Sequence, residues 1–140
     1  MIYPTGETDW QLLDRGHMDS YTRAGRYFHS GYHPQPKRHS ASGGGFTVWP
    51  GTHITAAEYF KTHSLLDGQQ AYGDQLPQPV EIFGPPGTTC FWHHYLMHNA
   101  SKYCQTEIRI AKVSRLRWKN TEDVKFGTPD NIWEHWEGLK

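Results

Sequence analysis

His17 and Asp19, one residue apart, and His98 far downstream are the side chains of this chain whose types and spacing suit a metal ion. Two imidazoles and one carboxylate can complete one face of an octahedron and leave the opposite face open, the donor set of mononuclear non-haem iron centres. In Gly16-His17-Met18-Asp19 the two ligands stand at i and i+2, so on a strand they point to the same face. His98 ends a strand-like run, and Arg109 follows eleven positions later on another. A guanidinium there can clamp a carboxylate through two parallel charge-assisted hydrogen bonds. The constellation therefore reads as an oxygenase site that takes Fe(II), 2-oxoglutarate as co-substrate and O2. Its expected chemistry is oxidative decarboxylation to succinate and CO2 coupled to hydroxylation of a small molecule. The metal and co-substrate carry that chemistry, while the protein supplies position and a dry pocket.

Spacing alone is a weak warrant, because with ten histidines an H-x-D tripeptide is close to a chance event. The elements expected to position the ligands are read from the rest of the chain. Residues 10 to 22 are expected to carry the strand that delivers His17 and Asp19. From Phe28 to Gly45 the composition shifts to His, Pro, Lys, Arg, Ser and Gly and reads as a loop. Phe46 to Trp49 is a short β-prone run ended by the turn signal Pro50-Gly51. Thr55 and Glu58 fit a capping box, opening a helix that continues through Leu65 and Leu66 and stops at Gly68. Val80 to Phe83 reads as a strand, and Gly84-Pro85-Pro86-Gly87 as a turn into the strand bearing His98. Ile108 to Trp118 is the next strand, and Trp133 and Trp136 belong to a short C-terminal helix.

Strand parity sharpens the site. On a continuous strand ending at His98, residues 90, 92, 94, 96 and 98 share a face, which puts Trp92 and His94 beside the ligand and makes His94 a competitor for its role. Taken singly, each residue also has an ordinary reading. His17 and Asp19 can be a surface hydrogen-bonded pair, His98 a core histidine satisfied by a carbonyl, and Arg109 a strand-surface cation. The cluster His29, His33 and His39 is of the kind that is mostly just solvated.

Longer stretches bear a family resemblance. Gly43-Gly44-Gly45-Phe46-Thr47-Val48-Trp49-Pro50-Gly51-Thr52-His53 resembles the G-x-x-x-V-x-P-G-S-H signature of the phytanoyl-CoA dioxygenase-like family. The run from Gly87 to Ser101 resembles that family's G-D-x-x-x-F-x-x-x-x-x-H-x-S strand, and Glu107-Ile108-Arg109-Ile110 falls where the family has its co-substrate arginine. The resemblance covers residues 14 to 117. It implies a mainly β fold, a double-stranded β-helix or jelly roll, here incomplete, with one short helical insertion and a short C-terminal helix. It implies His17, Asp19 and His98 as metal ligands, and Arg109, Ser101 and Trp92 around the co-substrate. Related halogenases replace the carboxylate by a small residue, so Asp19 favours hydroxylation or desaturation over halogenation.

At 140 residues the expectation is one domain, small for a complete eight-stranded jelly roll. Fourteen basic and fourteen acidic residues are interspersed, with no basic stripe for nucleic acid and no membrane-targeting run. The first residues lack a basic, then apolar, leader, and no apolar run approaches the roughly 18 to 20 residues that span a bilayer. The expected setting is cytoplasmic, with Cys90 and Cys104 as reduced thiols.

Departures from the family pattern keep two other readings open. The chain begins almost at the H-x-D strand, and the segment from His29 to Ser42 holds no convincing strand. Ala100 stands where the family has a polar residue, with Ser101 one position further on. One alternative is a truncated, catalytically silent relative that retains the fold. The other is a cupin-type metalloprotein, with His94 and His98 among its ligands, that does not use 2-oxoglutarate. Substrate and oligomeric state do not follow from the sequence.

Overall fold

The computed structural model describes residues 3–6, 8–19, 27–32, 43–117 and 130–133. These form a mainly β structure of six strands with one α-helix. The strands are β1 (Tyr27–Tyr32), β2 (Phe46–Val48), β3 (Val80–Ile82), β4 (Thr89–His93), β5 (His98–Ala100) and β6 (Lys112–Arg117), and α1 is Thr52–Tyr59. They build two three-stranded antiparallel sheets, ordered β4-β1-β6 and β3-β2-β5. The sheets meet through Phe46 of β2 and Trp92 of β4, whose ring centroids are 4.5 Å apart. His17 pairs with His98 as an isolated antiparallel bridge and so extends the second sheet beyond β5.

Register fixes which side chains share a face. In the second sheet Val80, Val48 and His98 are directly opposed, as are Ile82, Phe46 and Ala100. Glu81, Thr47 and Asn99 fall between them and so project from the other face. On that second face Trp49, Met97 and Met18 join Ala56, Ala57 and Phe60 of α1, together with Ala71, Tyr72 and Tyr95, in the main core. Trp49 and Met97 are completely shielded from solvent. The loss of two such side chains from water supplies several kcal/mol of hydrophobic stabilisation, at roughly 1.5–3 kcal/mol for a large apolar side chain. Thr52 ties the helix to this sheet: its hydroxyl donates to the Trp49 carbonyl at 2.7 Å and accepts from Met97 N–H at 3.0 Å.

Several sequence expectations need correction. The segment expected to be a loop contains β1. Its aromatic residues Tyr27, Phe28 and Tyr32 favour extended backbone, and it is hydrogen-bonded on both sides as the central strand of its sheet. Of residues 10 to 19, only His17 pairs as β-structure. The strand expected to run unbroken to His98 is two strands in different sheets. A turn from His94 to Met97, closed by Leu96 N–H donating to the His93 carbonyl at 2.9 Å, carries the chain across. The helix starts at Thr52 instead of after Thr55, and the Leu65–Tyr72 segment is a separate 3-10 helix. That segment is opened by the Ser64 hydroxyl accepting from Leu66 N–H and is kinked at Gly68, which has φ 52°. The strand expected from Ile108 is regular only from Lys112 to Arg117. The expected C-terminal helix lies mostly outside the described residues.

The expected Phe46–Trp49 and Val80–Phe83 runs form β2 and β3, each ending one residue earlier than expected, with the Pro50-Gly51 turn between β2 and α1. Both cysteines are free. No helix among the described residues is long and apolar enough to cross a membrane.

Candidate metal centre

His17, Asp19 and His98 converge, and their ligand atoms all lie within 4.8 Å of one another. Backbone pairing does the positioning. His17 N–H donates to the His98 carbonyl at 2.9 Å, and His98 N–H donates back to the His17 carbonyl at 3.0 Å. Met18, between the two ligands of the tripeptide, is buried in the core, which leaves His17 and Asp19 together on the other side. Gly16 makes the close approach possible. A Cβ there would stand 2.5 Å from the His98 carbonyl oxygen and 2.6 Å from the Trp49 ring.

One carboxylate oxygen serves both imidazoles: Asp19 Oδ1 is 3.1 Å from His17 Nε2 and 3.4 Å from His98 Nε2. His98 Nδ1 lies 2.8 Å from the Leu96 carbonyl, and since a carbonyl only accepts, Nδ1 is the protonated nitrogen. In the neutral ring, Nε2 then presents its lone pair toward Asp19 Oδ1. Two acceptors facing each other require a proton or a metal ion between them. A ring held by an Nδ1–H to a backbone carbonyl, with Nε2 left to face a metal, is the usual way a ligating histidine is oriented. Ligands about 2.1 Å from a metal and at right angles stand about 3 Å apart, close to both separations here. The cluster could therefore hold a divalent ion. Access is graded, with the side chains of His98, Asp19 and His17 being 6%, 18% and 48% exposed.

The wall beside His98 is aromatic. Trp92 lies 5.6 Å and Phe46 5.3 Å from the His98 ring, centroid to centroid. Trp92 thus reaches the cluster from the facing sheet, although the unbroken strand expected to carry it there does not exist. Phe46 was not among the expected site residues. Its signal was the run Phe46-Thr47-Val48, which pairs directly with the His98 strand. His94 is buried and is not among the clustered ligands; its ring is tilted against those of His93 and Tyr95, with centroids 4.4 and 4.0 Å apart.

Arg109 and Ser101 are both buried, but their surroundings differ from those expected of a co-substrate clamp. The Ser101 hydroxyl is bonded to the Thr47 hydroxyl, and its N–H donates to the Gly45 carbonyl at 2.9 Å. Thr47 projects from the sheet face opposite His98. Burial lowers the Arg109 pKa; Glu81, then Tyr103, counteract that shift. Glu81 is itself buried, shares the Thr47 face, and accepts a hydrogen bond from Gly45 N–H at 2.7 Å. Its signal in the sequence was a single acid between apolar neighbours, Val80-Glu81-Ile82. These groups are suited to hold a guanidinium without a ligand, so the fit to a dicarboxylate co-substrate is looser than the fit to a metal.

Comparison of the chain with family models, with curated proteins and with solved structures gave no match.

Proposed function

We propose that this chain is a non-haem Fe(II)- and 2-oxoglutarate-dependent oxygenase that hydroxylates a small molecule. The observation that carries the reading is the shared Asp19 oxygen, facing two imidazole nitrogens across 3.1 and 3.4 Å with the His98 tautomer set by Leu96. The fold is a jelly roll on this reading. Support comes from the way the chain passes from the His17 edge to β1, back to β2 and β3, and then to β4, β5 and β6 in alternate sheets. The resemblance of residues 14 to 117 to phytanoyl-CoA dioxygenase-like proteins points the same way.

Bound iron with 2-oxoglutarate would supply O2 activation. The protein's part is narrower. His17, Asp19 and His98 would hold the ion by one face, and Leu96 keeps the His98 ring in its ligating tautomer. Phe46 and Trp92 exclude water from the His98 side. The co-substrate role of Arg109 rests on the family resemblance alone, since Glu81, its strongest charged neighbour, lies on the sheet face opposite His98.

A cupin-type metalloprotein without 2-oxoglutarate is favoured by one observation, the buried Glu81 that already acts on Arg109. An anaerobic titration with Fe(II) and 2-oxoglutarate, followed in the visible, separates the two. A charge-transfer band lost in His98→Ala and weakened in Arg109→Ala supports the oxygenase. Metal binding with no band at saturating 2-oxoglutarate supports the second reading, and no metal binding by the folded chain removes both.

A further inference from the structure

We infer that Thr52, the first residue of α1, is a positioning residue for His98: its hydroxyl fixes the Leu96–Met97 peptide so that the Leu96 carbonyl holds the His98 ring with Nε2 left for a metal. The inference rests on the metal centre of the proposed oxygenase and adds to it a residue from outside the ligand set.

Two hydrogen bonds form the relay. Met97 N–H donates to the Thr52 hydroxyl at 3.0 Å, and the Leu96 carbonyl accepts from His98 Nδ1 at 2.8 Å. That N–H and that carbonyl belong to one peptide unit, which is planar and rigid, so fixing the direction of one fixes the other. Thr52 is itself anchored. Its hydroxyl donates to the Trp49 carbonyl at 2.7 Å, which commits the proton and leaves its lone pairs for Met97. The residue is only 3% exposed. Helix capping does not claim the hydroxyl either, because α1 has Gly51 as its N-cap, at φ 83°, with no side-chain hydrogen bond there. The peptide units on both sides are held by other groups. Before it, Tyr72 donates to the Tyr95 carbonyl at 2.7 Å and Leu96 N–H to the His93 carbonyl at 2.9 Å. After it, Trp49 N–H donates to the Met97 carbonyl at 3.1 Å and His98 N–H to the His17 carbonyl at 3.0 Å. A single peptide can still flip between fixed neighbours through the two soft dihedrals that flank it, and the Thr52 hydroxyl opposes that flip.

Removal of the hydroxyl leaves the N–H of the fully buried Met97 without this acceptor. Rotation of the peptide toward another acceptor carries the Leu96 carbonyl off His98 Nδ1. The ring proton is then free to move to Nε2, where Asp19 Oδ1, 3.4 Å away, accepts it. In that tautomer the nitrogen facing the cluster has no lone pair to give a metal. The loss therefore falls on metal affinity through the ring of a ligand that is still present.

The test compares the full-length parent with Thr52→Val, which removes the hydroxyl, and with Thr52→Ser, which keeps it. Co(II) affinity is measured by titration calorimetry. The position of the proton on the neutral His98 ring is read in the metal-free chains from the ring-nitrogen chemical shifts of isotopically labelled histidine. Expected for Thr52→Val is Co(II) affinity lowered about tenfold, the lower end of what loss of an outer partner costs. His98 Nδ1 should lose its proton in part of those molecules, and Thr52→Ser should match the parent in both measurements. Unchanged Co(II) affinity in folded Thr52→Val overturns the inference. So does equal weakening in Thr52→Ser, or weakening with Nδ1 protonated in every chain, as general loosening of the packing would give. Should the parent bind no Co(II), the metal-centre reading fails, and the ring alone decides the relay: an unprotonated Nδ1 only in Thr52→Val supports it, and the same state in all three chains overturns it. If Thr52→Val does not fold, a protonated Nδ1 in both the parent and Thr52→Ser supports the relay, and an unprotonated Nδ1 in either overturns it.

Discussion

His17 and His98 are directly opposed and exchange both of their backbone hydrogen bonds, at 2.9 and 3.0 Å, so main-chain pairing holds together two imidazoles from distant parts of the chain. Their ring centroids are 4.7 Å apart, and Asp19 bridges them at one oxygen. The backbone of the cluster is thus held by protein hydrogen bonds. In a zinc finger, by contrast, folding and metal binding are one event.

Removal of a ligand should accordingly affect metal affinity far more than folding. His98→Ala is expected to weaken Co(II) binding by more than the roughly 10–100-fold that loss of an outer partner costs, with the far-UV circular dichroism of the parent retained. Titration calorimetry checks it; equal affinities in parent and variant would eliminate the cluster as a metal site.

Gly16→Ala should damage the same cluster without touching a ligand. The new methyl would meet the His98 carbonyl at 2.5 Å and the Trp49 ring at 2.6 Å, neither of which is the mobile end of a flexible side chain. Overpacking of this kind costs about 1–3 kcal/mol. The expected result is a lower denaturation midpoint together with weaker Co(II) binding, and a variant indistinguishable from the parent in both would contradict the close approach.

Thr52→Val tests the link between α1 and the ligand strand. The substitution keeps the shape but removes the hydroxyl that bonds Trp49 and Met97, leaving the Met97 N–H unsatisfied while the Trp49 carbonyl still accepts the Thr52 N–H at 3.3 Å. A loss of about 1–3 kcal/mol is expected in urea unfolding. A loss below about 0.5 kcal/mol would mean that the Met97 N–H finds another partner.

Stability should fall in acid because of His93. Its ring is buried with His53, His94, Tyr95 and Trp133 around it, and its Nδ1 accepts from Tyr95 N–H at 3.1 Å. Burial, reinforced by the nearby His53, lowers its pKa from 6.5 to about 3. Between those values the unfolded chain binds the proton and the folded chain does not. The contribution is therefore complete above pH 6.5 and is lost as pH falls toward 3. The slope is on the order of 1.4 kcal/mol per pH unit at most. Urea midpoints measured from pH 7 to 4 should decline less steeply in His93→Gln, and parallel declines would refute the assignment.

The His17–Asp19–His98 cluster was legible because i, i+2 spacing on extended backbone commits two side chains to one face, and His17 needs only one bridge for that rule to hold. The aromatic neighbour Trp92 was legible for a reason that fails. It was placed by parity along one strand, whereas the turn between His93 and His98 moves the chain to the other sheet and Trp92 faces His98 across the gap. Strand β1 was missed because Ser30-Gly31 and the run of His, Pro, Lys and Arg that follows masked the extended preference of Tyr27, Phe28 and Tyr32, which pairing on both sides reinforces. The surroundings of Arg109 were out of reach for a related reason. Glu81 lies on β3, Thr47 on β2 and Ser101 just past β5, and only the pairing of those strands brings them together. A capping box at Thr55 lost to an earlier start at Thr52, where the hydroxyl that could have capped a helix is instead shared between Trp49 and Met97.

The close contact at Gly16 also bears on descent. A lineage can exchange the side chains of His17 or Asp19 and keep the main-chain bridge from His17 to His98. It cannot add even a methyl at Gly16 without displacing the His98 carbonyl and the Trp49 ring. Among relatives of this chain, the glycine should therefore outlast His17 and Asp19 as the mark of common ancestry.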